Sequence, residues 1–528
     1  MVQTLVRTEH LLDGTGAAAR AADVLVQDGV ITQVEDFGGL TARGRDVVET
    51  GTHAVTPGFI DVHSHADNAP LLEHDDVSKI LQGVTTEVVG NCGLSLAPLV
   101  PERRAALDDY IRRIFPPIPW SWNAFAEFLD VTDRHGYVTN YVPLVGHHAL
   151  RIAAMGMSDA APDEQQLRVM TNLLDEAMAA GAFGLSTGLI YPPGVFAATD
   201  EVVALAQQLP EGRLYASHIR GEGPQLLQSI REAVEVGTKA RRRVQISHLK
   251  AAGRPVWGSM GDAIELLDAA RADGVDVRHD VYPYTAGSTM LTATLPPWFH
   301  EGGGANVQRR LTDPECLARL EADLARNDTG WENLLYGAGW EGIVVASSMS
   351  HRFDGMSLAR IAGELRCSPF TALVQTLVTE ELQVSMINHS IHEDDLVRAM
   401  SHPSTMIGSD GLPPGVQGKP HPRAYGTFPR VLARYTREKG VLDLPDAVRK
   451  MTSLPADTFG LADRGVVAPG TAADLVCFSP DSVEDRADYD SPTEPPVGID
   501  WVMQNGRIVV KDGVYRGERA GHRLVPAC

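Results

Sequence analysis

Short apolar segments that alternate with amphipathic helical patterns dominate the middle of this sequence. Eight of them can be counted, and each has the length of a buried strand. They lie near residues 60–65, 85–89, 141–147, 183–186, 214–218, 244–248, 275–282 and 405–410. Strands separated by helices predict an α/β fold with a parallel sheet. Because eight such units close a (β/α)8 barrel, we expect a TIM-type barrel.

Both ends of the chain lack this alternation and consist of short strand-like runs and turns. Residues 1–56 carry such runs near 4–7, 22–27, 30–34 and 46–49, and residues 466–528 carry them near 474–478 and 501–510. The last run is divided by Asn505-Gly506, a strong signal for a tight β-hairpin. We therefore predict a small β-sandwich domain built from both chain termini, beside a catalytic barrel over residues 57–465.

One part of the predicted barrel holds more residues than the repeating unit needs. Residues 296–342 lie between the seventh and eighth strand patterns, begin with Pro296-Pro297-Trp298 and include Gly302-Gly303-Gly304. A single connecting helix would not use so long a segment. We predict that this segment is an insertion that covers the barrel like a lid.

Charge and hydropathy exclude several classes of partner. The formal net charge is −22 and is spread along the chain, which argues against binding to nucleic acid or to anionic membranes. No run approaches the roughly 20 apolar residues of a membrane span. The N-terminal sequence lacks the basic and apolar blocks of a signal peptide, and five irregularly spaced cysteines predict no disulfide framework. We expect a cytoplasmic protein that acts on a small molecule; the oligomeric state is left open.

The first strand pattern ends in His63-Ser64-His65. Side chains alternate between the two faces of a strand, so His63 and His65 point to the same side and can bind one metal ion. Taken alone, the pair is also compatible with two polar residues at a strand end. Further histidines and an aspartate end later strand patterns, where the active face of such a barrel lies, and this favours a metal site.

Two later strand patterns end in the dipeptide Ser-His. His218 closes Leu-Tyr-Ala-Ser-His and His248 closes Val-Gln-Ile-Ser-His one barrel unit later, so adjacent strands would bring the imidazoles together. Cys92 follows the second strand pattern in Gly90-Asn91-Cys92-Gly93, where glycines allow a tight turn that aims the thiol inward. One thiolate and two imidazoles predict a three-ligand zinc site with an open position for water.

Asp410 closes the eighth strand pattern. A carboxylate beside a metal-bound water can accept its proton and later deliver it to a leaving amine, so one residue can act as base and acid in turn. Asp410 is therefore the candidate catalytic residue, and with His63 and His65 it is also a candidate ligand of a second metal ion. Without the histidines, an aspartate before Gly411 would indicate only a turn.

Together these motifs resemble those of the amidohydrolase superfamily, and within it the chain is similar to the N-acyl-D-amino-acid deacylase (D-aminoacylase) family. The resemblance covers essentially the whole length, from Pro57-Gly58-Phe59-Ile60-Asp61 to Ala472-Ala473-Asp474-Leu475. Hydantoinase-like and dihydroorotase-like relatives bridge two metal ions with a carboxylated lysine at the end of the fourth strand, and residues 183–187 contain no lysine. The D-aminoacylase branch uses a cysteine in Asn-Cys-Gly instead, which Asn91-Cys92-Gly93 matches.

The resemblance also implies roles for individual residues. Cys92, His218 and His248 would bind one zinc ion tightly, while the His63-Ser64-His65 motif and Asp410 would form a weaker or vacant second site.

Substrate contacts are implied in the same way. Tyr282 would polarise the scissile carbonyl, Ser288 would help to hold the α-carboxylate, and Arg423 would grip that carboxylate by two hydrogen bonds. Tyr191 ends another motif of the family and is a further candidate contact. Lys250 would either meet an acidic substrate side chain or serve as a lysine of the barrel rim.

The expected reaction is zinc-dependent hydrolysis of the amide bond of an N-acyl-D-amino acid, which gives a carboxylate and a free D-amino acid. An alternative for the same site is hydrolysis of another amide, such as a D-dipeptide or a cyclic amide. A non-catalytic scaffold of this fold is expected to lose metal ligands, whereas this chain keeps all six candidates. The preferred side chain and acyl group, and the number of metal ions in use, are left open.

Overall fold

The computed structural model describes residues 3–327 and 330–526. Its strands are β1 (Gln3–Leu11), β2 (Arg20–Gln27), β3 (Val30–Asp36), β4 (Asp46–Glu49), β5 (Ala54–Pro57), β6 (Phe59–Asp61), β7 (Val84–Val89), β8 (Asn140–Pro143), β9 (Val145–Gly146), β10 (Gly184–Gly188), β11 (Leu214–His218), β12 (Arg243–Ile246), β13 (Val277–Val281), β14 (Gly287–Met290), β15 (Ile343–Ser348), β16 (Val384–Asn388), β17 (Thr405–Ile407), β18 (Leu475–Phe478), β19 (Ile499–Gln504), β20 (Arg507–Lys511) and β21 (Val514–Tyr515). Its α-helices are α1 (Arg104–Ile111), α2 (Phe125–His135), α3 (His147–Met155), α4 (Glu164–Ala179), α5 (Thr199–Ala206), α6 (Leu226–Ala240), α7 (Met260–Ala272), α8 (Gly304–Arg310), α9 (Pro314–Leu324), α10 (Leu334–Ala338), α11 (Leu358–Leu365), α12 (Pro369–Thr379), α13 (Glu393–Ser401), α14 (Arg423–Arg430), α15 (Leu444–Met451) and α16 (Ser453–Phe459).

Strands β6 to β13 and β17 form the parallel wall of a (β/α)8 barrel. β6, β7 and β8 pair in that order, and β9 to β13 pair in sequence and then with β17. β8 and β9 are one strand interrupted at Leu144, whose amide still donates to β7. The ring closes between β17 and β6, where the Asp410 amide donates to the His63 carbonyl (2.7 Å) and the His65 amide to the Gly411 carbonyl (2.9 Å). All eight predicted strands are present, and the predicted fold class is confirmed.

Burial and capping explain why these segments take their local form. β10 and β11 are buried along their whole length, because helices cover one face and the barrel interior covers the other. α4 begins with a capping box, in which the Asp163 side chain accepts from the Gln166 amide and the Gln166 side chain accepts from the Asp163 amide. Its apolar face buries Met170 and Leu174. Within the described ranges, no helix is both long enough and apolar enough to cross a lipid bilayer.

Strands from both ends of the chain share one hydrogen-bonded sheet. Its order is β21-β20-β19-β18-β5-β1-β2-β3, with β4 paired to β1. β5 lies between the two groups, parallel to β1 and antiparallel to β18. Since β5 leads directly into β6, this small domain anchors the strand that precedes His63 and His65. The limits 1–56, 466–528 and 57–465 remain a prediction.

A long excursion of the chain separates β13 from β17. In it β14, β15 and β16 form an antiparallel sheet of order β14-β16-β15. Its apolar core, which includes Leu291, Phe299, Val345 and Met386, is distinct from the core of the barrel. The segment 296–342 lies within this excursion, and its role as a lid remains a prediction. β14 carries Ser288 and brings the excursion to the edge of the candidate site.

Candidate metal centre

The carboxyl ends of the barrel strands bring histidines, a cysteine and an aspartate together. Cys92 Sγ lies 3.2 Å from His63 Nε2 and 3.5 Å from His248 Nε2. Asp410 Oδ1 lies 3.5 Å from His63 Nε2 and 3.2 Å from His65 Nε2. Donor atoms of His63, Cys92, His248 and Asp410 all lie within 4.8 Å of one another, and the four residues are buried. The two predicted ligand sets thus meet in one cluster, and their assignment to two separate ions remains a prediction.

Unusual backbone conformations aim three of these side chains. Cys92 (φ 53°), His248 (φ 37°) and Asp410 (φ 50°) lie in the left-handed region that residues other than glycine rarely adopt. Such conformations cost roughly 1–3 kcal/mol each and cluster at functional sites. The turn before Cys92 requires glycine, because a Cβ at Gly90 would lie 2.2 Å from the Leu144 carbonyl oxygen.

His218 lies beside this cluster. Its ring meets the His248 ring edge-on, with 4.3 Å between the centroids. Burial lowers its pKa, which keeps the imidazole in the neutral form that binds metals. His218 is 4% exposed, and neither ring nitrogen has a hydrogen-bond partner among the residues described. Because buried polar atoms without a partner are costly, these nitrogens fit the role of ligands for a metal ion.

The charges in the cluster favour a thiolate at Cys92. Burial alone would raise the pKa of this thiol, but His63 and His248 outweigh burial and lower that pKa well below its ordinary value. The thiolate is the form that binds a metal ion. Thiolate, imidazole and carboxylate donors together fit zinc, which accepts sulfur, nitrogen and oxygen ligands.

Two carboxylates that the sequence analysis did not single out hold the histidines in place. Glu222 Oε1 lies 3.1 Å from His248 Nδ1 and 3.6 Å from His218 Nε2. Asp280 Oδ1 lies 3.4 Å from His63 Nδ1 and accepts from the His248 amide at 3.0 Å. Carboxylates in this position orient metal-binding imidazoles and raise their basicity. The sequence contains only weak indications of these two roles: Glu222 lies four residues after His218, and Asp280 lies near the end of β13.

Lys250 is bound to one of these carboxylates. Its Nζ donates to Glu222 Oε1 at 2.5 Å and lies 2.9 Å from His248 Nδ1. Burial alone would raise the pKa of Glu222, but Lys250 and the two histidines lower it to about 2. The ammonium is therefore already neutralised inside the protein. This arrangement favours the interpretation of Lys250 as a rim lysine over that of a free contact for an acidic substrate.

Arg423 and Ser288 lie together on one side of the cluster. Arg423 Nη1 lies 2.7 Å from Asp410 Oδ2, and Nη2 donates to the Ser288 carbonyl at 2.9 Å. The Ser288 hydroxyl donates to the Met386 carbonyl at 2.8 Å, so Ser288 supports Arg423 through its backbone. Burial alone would raise the pKa of Asp410, but Arg423, His248 and His63 hold it well below its usual range.

The two predicted tyrosines also lie at the cluster. The guanidinium of Arg423 lies 4.8 Å from the Tyr282 ring centroid. The Tyr282 hydroxyl is buried and has no hydrogen-bond partner in the described part of the chain. Tyr191 meets the His218 ring edge-on, with the centroids 4.9 Å apart. Their roles as substrate contacts remain predictions.

A cavity of about 370 Å³ lies beside the metal centre rather than at it. Its lining includes Ala66, which follows His65, and His421, whose Nδ1 accepts from the Arg423 amide at 3.1 Å. A much smaller space of about 10 Å³ is lined by His248, Lys250 and Tyr282.

A second group of potential metal ligands lies in the small domain. His53, Cys477 and Asp500 have donor atoms within 4.8 Å of one another. Burial raises the pKa of the Cys477 thiol far above its ordinary value, with a further contribution from Asp500. A thiol that stays protonated is a poor ligand, so we assign no metal ion to this group.

Comparisons with known proteins agree with this geometry. Residues 329–510 match the family model described as "Amidohydrolase family". The D-aminoacylase of Alcaligenes xylosoxydans xylosoxydans is 36% identical over 516 residues, which cover 97% of this chain and 96% of that protein. The N-acyl-D-aspartate deacylase of the same organism is 34% identical, over 98% of this chain and 93% of that protein.

A solved structure matches the whole fold. The N-acyl-D-glutamate deacylase of Bordetella bronchiseptica, complexed with zinc and a phosphonate inhibitor that mimics the tetrahedral intermediate of its reaction, superposes with a TM-score of 0.84. The two proteins are 35% identical, and the alignment covers 99% of each chain. With these relatives and with the Cys92 cluster at the ends of its barrel strands, the chain belongs to the N-acyl-D-amino-acid deacylase (D-aminoacylase) family of the amidohydrolases.

Proposed function

We propose that this chain is a zinc-dependent hydrolase that cleaves the amide bond of N-acyl-D-amino acids. The observation that carries the proposal is the buried convergence of His63, Cys92, His248 and Asp410. Arg423 lies directly beside it, paired with Asp410, and offers a site for a substrate carboxylate. Two of the relatives are named for the side chain of their substrate, D-aspartate or D-glutamate, and the third is named D-aminoacylase. All three descriptions share an N-acylated D-amino acid.

Zinc is the proposed cofactor. Cys92, His218 and His248 would hold it tightly, and the His63-Ser64-His65 motif with Asp410 would offer a weaker second site. Bound zinc supplies a Lewis acid that polarises a carbonyl and lowers the pKa of a water molecule. Two observations support this assignment: the buried His218 nitrogens make no hydrogen bond to any described residue, and the pKa of Cys92 is lowered.

Asp410 is the proposed acid and base. Its carboxylate would take a proton from the attacking water and then give that proton to the nitrogen of the leaving amine, which departs as the free D-amino acid. Its position between His63, His65 and Arg423 leaves the carboxylate ionised and thus ready to accept a proton.

Tyr282 and Arg423 are proposed to bind the substrate. The Tyr282 hydroxyl has no hydrogen-bond partner among the described residues, so it would donate a hydrogen bond to the oxygen of the scissile carbonyl as negative charge develops there. Arg423 would bind the α-carboxylate through its planar guanidinium. With the carboxylate and the scissile carbonyl both fixed, only one placement of the side chain at the α-carbon fits, and this provides a basis for selecting the D-enantiomer.

A substrate panel tests the proposal. The zinc-loaded protein is assayed with N-acetyl-D-amino acids and N-acetyl-L-amino acids that bear aliphatic, aromatic or acidic side chains, and with D-dipeptides and cyclic imides. We expect turnover of N-acetyl-D-amino acids only. Strong turnover of cyclic imides without turnover of N-acetyl-D-amino acids would instead identify a cyclic amidohydrolase.

The variant Asp410→Asn tests the mechanism. It should bind zinc at the tight site but lose about 10²–10⁴-fold in kcat, the usual contribution of general acid-base catalysis. Asp500→Asn, which changes a half-exposed residue of β19 in the small domain, is the matched control and should keep full activity. Activity of Asp410→Asn within about tenfold of the parent protein, or roughly 1.4 kcal/mol, would exclude Asp410 as the acid and base.

A cytoplasmic location and the absence of a nucleic-acid partner are also proposals.

A further inference from the structure

A buried group of charged and polar residues lies directly beneath the histidine pair and Asp410. It consists of Lys79, Asp61, Glu87, Ser64 and Ser409, which we call the seam cluster. Each of these residues is at most 5% exposed. We propose that Lys79 is a positioning residue that holds the two sides of the barrel closure in place, so that His63, His65 and Asp410 converge. This inference rests on the proposed function.

Lys79 joins the acidic residues of two adjacent strands. It begins the 3-10 turn that precedes β7. Its ammonium lies 3.2 Å from Asp61 Oδ2 on β6 and 3.2 Å from Glu87 Oε1 on β7. It also donates to the Ser64 hydroxyl, between the two histidines, at 3.2 Å. All of these contacts are buried, where ion pairs are screened little.

Asp61 connects this lysine to both sides of the closure. Its Oδ1 accepts from the His63 amide at 3.2 Å on the β6 side and from the Ser409 amide at 2.8 Å on the β17 side. Its Oδ2 accepts from the Ser409 hydroxyl at 2.5 Å. One carboxylate thus fixes the residue next to Asp410 relative to the backbone of His63.

The closure needs such support because its backbone pairing is short. β6 and β17 are each three residues long. Among the described residues, two backbone hydrogen bonds cross the closure just past the ends of these strands, one between Asp410 and His63 and one between His65 and Gly411. Shifting either strand by a fraction of an ångström would move His63 and His65 relative to Asp410. Side chains that meet at a catalytic centre must be held within about 0.5 Å of their productive geometry.

Glu87 stabilises the other end of the seam cluster. Its Oε1 accepts from the Ser64 hydroxyl at 2.9 Å, and its Oε2 accepts from Thr139 at 2.7 Å. Lys79 is the cation shared by Glu87 and Asp61. Without Lys79, the buried carboxylates of Asp61 and Glu87 would have no positive charge between them. Buried charges without a partner force the structure to rearrange or admit water.

Lys79 is placed to position rather than to bind substrate. It lines the cavity beside the metal centre, but it is only 3% exposed. Its ammonium already contacts three acceptors, which are Asp61, Glu87 and Ser64. As an ammonium group it has no lone pair with which to bind a metal ion.

The test compares Lys79→Met with Lys79→Arg in the full-length, zinc-loaded protein. We expect Lys79→Met to weaken zinc binding at the weaker site and to lower kcat, each by about 10–100-fold, as removal of an outer residue at a metal site typically does. KM should change little, because Lys79 does not touch the substrate. Lys79→Arg should restore a large part of both. Zinc affinity is measured by competition with a chelator, and kcat and KM with the best N-acetyl-D-amino acid of the panel.

Lys450→Met is the matched control, since it removes another fully buried lysine. Lys450 contacts the carbonyls of His402 and Thr405 at the opposite end of β17. We expect it to lower the melting temperature but to leave zinc affinity and kcat unchanged. If Lys79→Met behaves in the same way, Lys79 is only structural and the proposal fails.

Two further measurements keep the test decisive. If Lys79→Met does not fold, Ser409→Ala removes the hydroxyl bound to Asp61 without removing a charge. It should weaken zinc binding in the same direction, and unchanged affinity would overturn the proposal. If the parent protein hydrolyses none of the panel substrates, the proposed function fails, while the zinc measurements still decide the role of Lys79.

Discussion

Replacement of Tyr282 by phenylalanine should separate catalysis from folding. The Tyr282 hydroxyl is buried and makes no hydrogen bond within the residues described, whereas its ring packs beside Arg423 and Lys250. Tyr282→Phe keeps the ring and removes only the hydroxyl. Activity should fall because the donor to the developing oxyanion is lost, yet the folded state should not be weakened.

The magnitudes follow from the environment of the hydroxyl. Loss of one oxyanion donor typically costs about 2.7–4 kcal/mol, which lowers kcat by about 10²–10³-fold. An unpartnered buried polar group costs the folded state about 1–3 kcal/mol, so its removal should raise the free energy of unfolding, by about 1 kcal/mol if water satisfies part of the hydroxyl. Tyr282→Phe should therefore lower kcat while it raises the free energy of unfolding.

The assay pairs Tyr282→Phe with Tyr284→Phe. The Tyr284 hydroxyl is also buried and also lacks a partner among the described residues, but its ring packs on Arg430 and His421 away from the metal ligands. Steady-state kinetics and urea unfolding are measured for both zinc-loaded variants. We expect both to be at least as stable as the parent and only Tyr282→Phe to lose kcat. A kcat of Tyr282→Phe within about threefold of the parent would refute the assignment of the oxyanion donor.

Three further predictions concern the metal, the substrate carboxylate and pH. Cys92→Ala should lose tightly bound zinc, because its Sγ lies 3.2 Å from His63 Nε2 and 3.5 Å from His248 Nε2, while Cys477→Ala should keep it; metal analysis after dialysis decides. Arg423→Lys removes the planar fork proposed to bind the α-carboxylate and also changes the contact with Asp410 Oδ2, so kcat/KM should fall by about tenfold or more for N-acetyl-D-amino acids and by less for their carboxamides. Burial raises the pKa of Glu332 from 4.5 to about 7, although its carboxylate accepts from the amides of Glu222 and Gly223. Between these two pH values the folded protein keeps a proton on Glu332 that the unfolded chain has released. The stability that Glu332 contributes is therefore fully present below pH 4.5 and should be lost as the pH rises through about 7. The loss is on the order of 3 kcal/mol, and Glu332→Gln should abolish it in urea titrations at several pH values.

The sequence predicted the fold and most of the candidate ligands because both depend on local patterns. Apolar runs of strand length specify the eight barrel strands, and all eight are present. His218 ends β11 and His248 follows the end of β12, and β11 and β12 are adjacent and parallel, as their repeated Ser-His endings predict. The Gly-Asn-Cys-Gly turn also has the required conformation, since Cys92 has φ 53°.

The surroundings of those ligands could not be predicted in the same way. Glu222 and Asp280 hold the histidines, yet each looks like an ordinary acidic residue in the sequence. The pairing of Arg423 with Asp410 is likewise a contact between separate segments that no local pattern records. The pairing of Lys250 with Glu222 favours one of two interpretations that the sequence left open.

Residue type and local periodicity thus predicted, from the sequence alone, that strand ends would carry candidate metal ligands at one face of a barrel. Only the tertiary structure decided which of these side chains share a cluster and what holds them there. His63 and Ser409, for example, meet at the closure although 346 positions separate them, and Asp61 and Lys79 join the closure from two further segments. Distances of this kind arise from the closing of the sheet into a ring, and no local pattern records them because they depend on the twist and stagger of all eight strands together.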